Sequence, residues 1–358
     1  MSKSIRWQRQ CLFPSTCLAG LLFFLILSHD QEPVSFDHFQ TSTSTSTSTH
    51  TKTTELSCYA LPGANETVVV LRTGSTEIAD KLPVHLSTTL SCYPNHLIFS
   101  DHDETFHGEP VIDALASVSP DILETHPDFE LHRRLKRSGR SALEASELSG
   151  VDSEVVMMSG KIENPGWKLD KWKFLPMIHR TLQEYPDSKW YVFVEADSYI
   201  FWRSTLQYLN RLDHTKHYYS GSATLIGDDL FAHGGSGFFV SQAAMRTVVN
   251  YYTAHQKEIE DATAKHWAGD CVLGNVFKDA GINLTDSYPI FQGHYPGIVP
   301  YAKPSGRSKE GDRMRLWCYP SVSYHHVTPK VIEDLWNFEQ QWFTSVQRVR
   351  DPSFLIST

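Results

Sequence analysis

Short apolar runs alternate with segments of helical period along residues 55–358. Thr67–Arg72 (TVVVLR) and His96–Ser100 (HLIFS) are apolar on successive residues and end in polar loops, the pattern of strands buried on both faces. Lys189–Ile200 (KWYVFVEADSYI) has the same form: Trp190, Val192 and Val194 make one apolar row, Tyr191 and Phe193 the other. Ahead of it, Asp170–Tyr185 carries Phe174, Met177, Ile178 and Leu182 at the spacing of a helix packed on a sheet. Leu206–Leu212 predicts a short helix, Tyr218–Gly221 a strand, and Gln242–Ala254 a helix that Ser241 can cap. Asp270–Phe277 opens another helix, with Val272, Leu273, Val276 and Phe277 on its buried face. Ser321–Val327 (SVSYHHV) reads as a strand before the amphipathic helix Pro329–Val349. Leu115–Gly150 is polar, holds the basic run Arg133–Arg140 and has no clean period; it predicts a helix plus loop and no chemistry. Strands alternating with helices predict an α/β sheet.

The first 54 residues break this pattern. Lys3, Arg6 and Arg9 precede the uncharged stretch Cys11–Ser28, whose centre, Leu18–Leu27, is almost wholly apolar. A cleaved signal peptide and a signal anchor both have this form, and the lack of a clear small-x-small cleavage site favours the anchor. The basic flank would keep residues 1–10 cytosolic and place the rest of the chain in the lumen of the secretory pathway, in the Golgi or ER. Thr41–Thr54 (TSTSTSTSTHTKTT) cannot bury enough apolar surface to fold, so residues 29–54 read as an extended stem between the anchor at 11–28 and a lumenal domain at 55–358.

A formal net charge of −9 over 358 residues argues against nucleic acid as a partner and requires any anionic ligand to meet a local cluster of Lys or Arg. Cys58, Cys92, Cys271 and Cys318 lie in the lumenal part and allow three pairings. Asn65-Glu66-Thr67 and Asn283-Leu284-Thr285 are N-glycosylation sequons, in keeping with a secretory compartment. The pattern says nothing about oligomeric state.

Candidate chemistry concentrates where the Lys189–Ile200 strand ends. Glu195 and Asp197, one residue apart, fall on one face, at a sheet edge where ligands gather, and paired oxygens there suit a hard divalent cation. An isolated triplet of this kind is more often a solvated turn. Gly234, Gly235 and Gly237 let backbone approach a ligand closely, or simply make a tight turn into a strand. Asp270, at a helix start, serves as cap and dipole partner while still projecting a carboxylate into the crevice. His325 and His326 sit beside a strand, where histidine is more often structural than a ligand.

In chain order, Thr73-Gly74, Ser100–Glu104 (SDHDE), KWYVFVEADSY, GGSGFFVS, DCVLG and SYHHV resemble the motifs of the family 31 glycosyltransferases, in a fungal-type form. That family includes Fringe and core 1 β-1,3-galactosyltransferase, and the resemblance spans Cys58 to about Val327. It implies the GT-A fold, a Rossmann-like mixed sheet flanked by helices. It also implies a UDP-sugar donor, Mn²⁺ as the usual metal, a glycan acceptor and inversion at the anomeric centre. Position by position, Asp197 and His325 would ligate the metal, with Glu195 at the family's first acidic position, and Asp270 would be the general base. Thr73, Gly74 and Asp101 fall where the family holds the uridine, and Lys173 where a lysine faces the donor. Gly234, Gly235 and Gly237 would line the cleft. Cys58–Cys92 matches a disulfide position of core 1 enzymes, and Cys271 would pair with Cys318. Two departures stand out: the acidic triplet is Glu-Ala-Asp where the family has three aspartates, and Gly269 replaces a second carboxylate before Asp270. The expected activity is β-1,3 transfer of a hexose, foremost galactose from UDP-galactose, to a glycan. The competing expectation is a lectin-like or chaperone protein of the same descent without transfer activity.

Overall fold

A computed structural model describes residues 57–148, 164–303 and 315–350. The expected anchor and stem lie outside the described residues, and among those described no helix is long and apolar enough to cross a membrane. The elements in order are β1 (Thr67–Arg72), α1 (Ile78–Ser87), β2 (Asn95–Ser100), β3 (Glu104–Phe106), β4 (Glu109–Asp113), α2 (Pro120–Thr125), α3 (Glu130–Ser138) and α4 (Pro165–Glu184). They continue as β5 (Trp190–Glu195), β6 (Ser198–Ile200), α5 (Trp202–Leu209), β7 (Tyr219–Gly221), β8 (Ala223–Ile226), β9 (Asp229–Ala232), β10 (Phe238–Ser241) and α6 (Gln242–Ala254). The last are α7 (Gln256–Lys265), α8 (Gly269–Asp279), β11 (Leu284–Asp286), β12 (Ser323–His325) and α9 (Pro329–Arg350).

Eight strands form one mixed sheet in the order β11-β7-β10-β5-β1-β2-β4-β3. Its centre is parallel, β5 and β2 flanking β1, and β10 joins β5 antiparallel. The alternating rows of β1 and β5 separate into two cores. Val68, Val70, Tyr191 and Phe193 pack with α4, α6 and α8 on one face. Val69, Leu71, Val192 and Val194 pack with α1 and α5 on the other. This is the helix-flanked α/β sheet that the pattern predicts, and it turns the carboxyl ends of β1, β2 and β5 toward one edge.

Local chemistry explains where boundaries differ. Helix α4 begins at Pro165, five residues before the periodic stretch, because the Asn164 side chain accepts the Gly166 N–H at 2.8 Å and proline suits the first helical position. Residues 115–148 hold more packed structure than their polarity implies. Leu115, Phe129, Leu131 and Leu135 build a third core with Leu169 and Trp172 of α4. There His132 Nε2 lies 2.9 Å from the buried Asp113 carboxylate, so a histidine fills a position that a count of apolar residues leaves blank. The Cys58–Cys92 disulfide is present. The expected Cys271–Cys318 pairing is not: Cys271 is buried in the first turn of α8, whereas Cys318 is exposed in the short turn Leu316–Cys318.

Candidate metal centre and active site

Register in the parallel pair sets Arg72 opposite Glu195 at the ends of β1 and β5. The Arg72 guanidinium binds the carboxylates of both Glu195 and Asp170 and lies 4.1 Å over the Phe174 ring. Burial opposes its charge, but Asp170 and Glu195 outweigh that and raise its pKa.

Beyond β5 the chain passes through Ala196 and Asp197 into β6, which pairs antiparallel with β12, Ser198 opposite His325. That ladder brings His325 Nε2 to 3.4 Å from Asp197 Oδ1 and 3.8 Å from Glu195 Oε2. The next residue, His326, has φ +57°, a left-handed conformation uncommon outside glycine, and its ring stacks on His325 at 3.7 Å. Ligand atoms of Asp197, His325 and His326 thereby fall within 4.8 Å of one another. Asp197 Oδ1 is buried without a hydrogen-bond partner, the condition that a bound cation would relieve. One carboxylate and two imidazoles fit a divalent transition ion. Glu195 lies outside that trio, where the Arg72 guanidinium engages its carboxylate.

The charges are tightly matched. Burial works against ionisation of Glu195 and Asp197, yet Arg72 and His325 hold the Glu195 carboxyl down at about 2, and Lys81 with His325 holds Asp197 well below its ordinary range. Burial likewise opposes charge on His325, but Asp197 and Glu195 push it up to about 10. Without a cation the imidazole therefore keeps its proton, and metal binding would displace it. Helix α1 braces the same loop. Lys81 Nζ sits 3.1 Å from Asp197 Oδ2 and 2.7 Å from Glu77, and His85 Nε2 donates to the Ala196 carbonyl at 2.9 Å.

The glycine turn sits between this centre and Asp270. A Cβ on Gly235 would stand 2.1 Å from His325 Cε1, and one on Gly234 would stand 3.1 Å from Glu195 Oε1. On the other side, the Gly234 N–H donates to Asp270 Oδ2 at 3.0 Å. Gly237, at φ +74°, closes the turn into β10. These glycines make the turn into β10, and two of them pack against site side chains. Asp270 lies inside the first turn of α8, after the cap residue Ala268. Burial pushes its carboxyl up to about 6, against the opposing Gly234 N–H, with Glu195 adding repulsion.

Thr73, Gly74, Asp101 and Lys173 come together at the ends of β1 and β2. Asp101 accepts the Ser75 N–H at 2.9 Å, and Lys173 Nζ lies 2.8 Å from the Thr73 carbonyl and 3.4 Å from Asp101 Oδ2. Lys173 is only 2% exposed, its ammonium held inside the protein, whereas Lys81 is the more open cation beside Asp197. Both sequon asparagines, Asn65 and Asn283, are exposed.

Arg72, Lys81 and His85 also reach the site, and no motif marks them in the sequence. Glu77, Lys81 and His85 do recur every four residues, one face of a helix, which is the signal available for that group. Arg72 has no such mark, because its role depends on register with β5.

Residues 168–330 match the family model described as Fringe-like. No curated protein matches the chain. The matched stretch holds β5, the glycine turn, Asp270, His325 and His326, while Arg72, Lys81, His85 and Asp101 precede it. The helix-flanked, eight-stranded mixed sheet that carries this stretch is of the GT-A type, and over those residues the chain is similar to a Fringe-like domain.

Proposed function

We propose that this protein is an inverting, metal-dependent glycosyltransferase that moves a hexose, foremost galactose from UDP-galactose, in β-1,3 linkage to a glycan. The observation that carries the reading is the glycine turn, with the Asp197–His325–His326 trio against one side and the Asp270 carboxylate hydrogen-bonded to the other. A binding module has no need of a cation centre and a poised base across one turn.

Asp197, His325 and His326 would hold the divalent ion, Mn²⁺ by resemblance. When bound, such an ion supplies positive charge to a departing diphosphate. Lys81 adds a second cation beside Asp197, while Arg72 keeps Glu195 ionised and oriented. Asp270, largely ionised at neutral pH, accepts the proton of an acceptor hydroxyl. The hydroxyl oxygen forms its bond to the anomeric carbon as the carbon–oxygen bond to the diphosphate breaks, and the electron pair leaves with UDP. Attack from the face opposite the diphosphate inverts the centre.

The basic and apolar pattern of residues 1–28 supports placement as a type II membrane protein of the Golgi or ER, with the catalytic part lumenal. Incubating the purified lumenal part with Mn²⁺, a panel of UDP-sugars and candidate acceptors tests the reading. UDP release and sugar transfer are expected, with Asp197→Ala losing metal-dependent donor binding. Absence of both UDP binding and UDP release across the panel would overturn it.

A further inference from the structure

A second group of metal-ligating side chains lies beside Asp270 and takes no part in the mechanism above. Asp229 on β9, His266 at the end of α7 and Cys271 in the first turn of α8 bring their ligand atoms within 4.8 Å of one another. We propose that this trio is a distinct divalent-metal site of the zinc class, which fastens the β8–β9 hairpin to the helix start that presents Asp270.

The Asp229–His266 contact has the length of a long hydrogen bond and also the spacing of two ligands around one ion. Asp229 Oδ2 and His266 Nε2 are 3.4 Å apart. Two ligands each about 2.0–2.1 Å from a tetrahedral ion stand about 3.3–3.4 Å from each other. A charge-assisted N–H to carboxylate bond closes to about 2.7–2.9 Å.

The surroundings orient both ligands. Ala268 brackets His266 Nδ1, its carbonyl at 3.0 Å and its N–H at 3.2 Å. The two contacts belong to different tautomers: Nδ1 accepts the Ala268 N–H when bare, and donates to the Ala268 carbonyl when protonated, in which state Nε2 turns a lone pair toward Asp229, the usual arrangement behind a metal-bound histidine. Asn275 Nδ2 donates to Asp229 Oδ1 at 2.8 Å, which leaves Oδ2 facing the imidazole. Cys271 sits at a helix N-terminus, where the dipole favours thiolate. Thiolate, imidazole and carboxylate together select zinc-like ions over hard ones, unlike the oxygen and nitrogen set at Asp197. Three protein ligands leave a fourth position for water.

Cobalt substitution of the chelator-treated, intact protein tests the site, because only a thiolate ligand gives a sulfur-to-cobalt charge-transfer band in the near ultraviolet. One equivalent of Co²⁺ should produce the band and Zn²⁺ should remove it. Cys271→Ser should abolish the band, and His266→Gln should weaken cobalt affinity at least about tenfold. Asp197→Ala and Cys318→Ser should keep it, which separates this site from the proposed catalytic one and from the exposed thiol. No band in the wild-type protein, or a band that survives Cys271→Ser, overturns the proposal; the wild-type spectrum decides even where a variant folds poorly.

Discussion

Asp270 combines burial with backbone donors, the Gly234 N–H of the glycine turn on one oxygen and the Cys271 N–H on the other, and burial and the turn's N–H pull its acidity in opposite directions. Burial wins, and the carboxyl rests near 6 in place of 3.8. For a general base the consequence is an acid limb: transfer should fall about tenfold per pH unit below pH 6 and level off above it, measured as kcat/KM at fixed metal. Asp270→Asn should lower transfer by about 10²–10⁴-fold while UDP binding persists. The same shift has a stability side. A carboxyl that holds its proton more tightly when folded contributes stability that is fully present below pH 3.8 and lost as pH rises through about 6. Asp270→Asn should therefore melt above the wild type at pH 7.5, by an amount on the order of 3 kcal/mol. Loss of transfer with a gain in stability is the joint signature of a strained base. An asparagine variant that keeps full activity would leave Asp270 a helix-start residue only.

At the scale of elements, the site is made by two strand registers and one turn. Arg72 reaches Glu195 because β1 and β5 pair in parallel, and His325 reaches Asp197 because β12 pairs with β6. The apolar runs of β1, β2 and β5 and the period of α4, α6 and α8 are visible in the sequence, since each depends on local alternation alone. The positions of Asp197, Asp270 and His325 follow from motif order. What sequence does not expose is pairing between distant segments: β6 and β12 are three residues each and 123 positions apart at their closest paired residues, Ile200 and Ser323. Cys271 and Cys318 fail as a pair for the same reason, since spacing does not reveal that one side chain faces the core and the other solvent. The glycine turn permits a graded test. Gly235→Ala sets a methyl 2.1 Å from a His325 ring whose backbone the ladder holds, so the ring must move. Gly234→Ala meets its nearest neighbours at 3.1 Å and needs only a small adjustment. Overpacking at about 1–3 kcal/mol translates to a roughly 10- to 100-fold loss of Mn²⁺ affinity for Gly235→Ala, with a lesser loss for Gly234→Ala. Titration calorimetry beside far-ultraviolet circular dichroism separates displaced ligands from lost fold; equal affinities for both variants would count against His325 as a ligand.

Across the whole molecule, the region similar to the family is not self-sufficient. The match runs over 168–330, yet β1, the strand between β2 and β5, precedes it, and most of α9 follows it. Helix α9 is tied back to the site through Glu339, which is buried. Tyr199 of β6 donates its hydroxyl to one Glu339 oxygen at 2.6 Å, and the Arg203 N–H, in the first turn of α5, reaches the other at 3.2 Å. One carboxyl thus joins the C-terminal helix, the strand that pairs with the His325 strand, and the helix after it. Burial pushes the Glu339 carboxyl up to about 7, with Tyr199 and the Arg203 N–H working the other way. Its folded pKa exceeds its ordinary value of 4.5, so its contribution to stability is complete below pH 4.5 and is lost as pH rises through about 7. Glu339→Gln removes that ionisation and keeps one oxygen acceptor. Relative to the wild type, the variant should gain stability steadily from pH 5 to pH 8, approaching a swing on the order of 3 kcal/mol, and urea unfolding across that range reads it directly. A difference that does not change with pH would mean that Glu339 ionises as freely folded as unfolded, and would overturn the burial-driven shift while leaving its hydrogen bonds to Tyr199 and Arg203 in place.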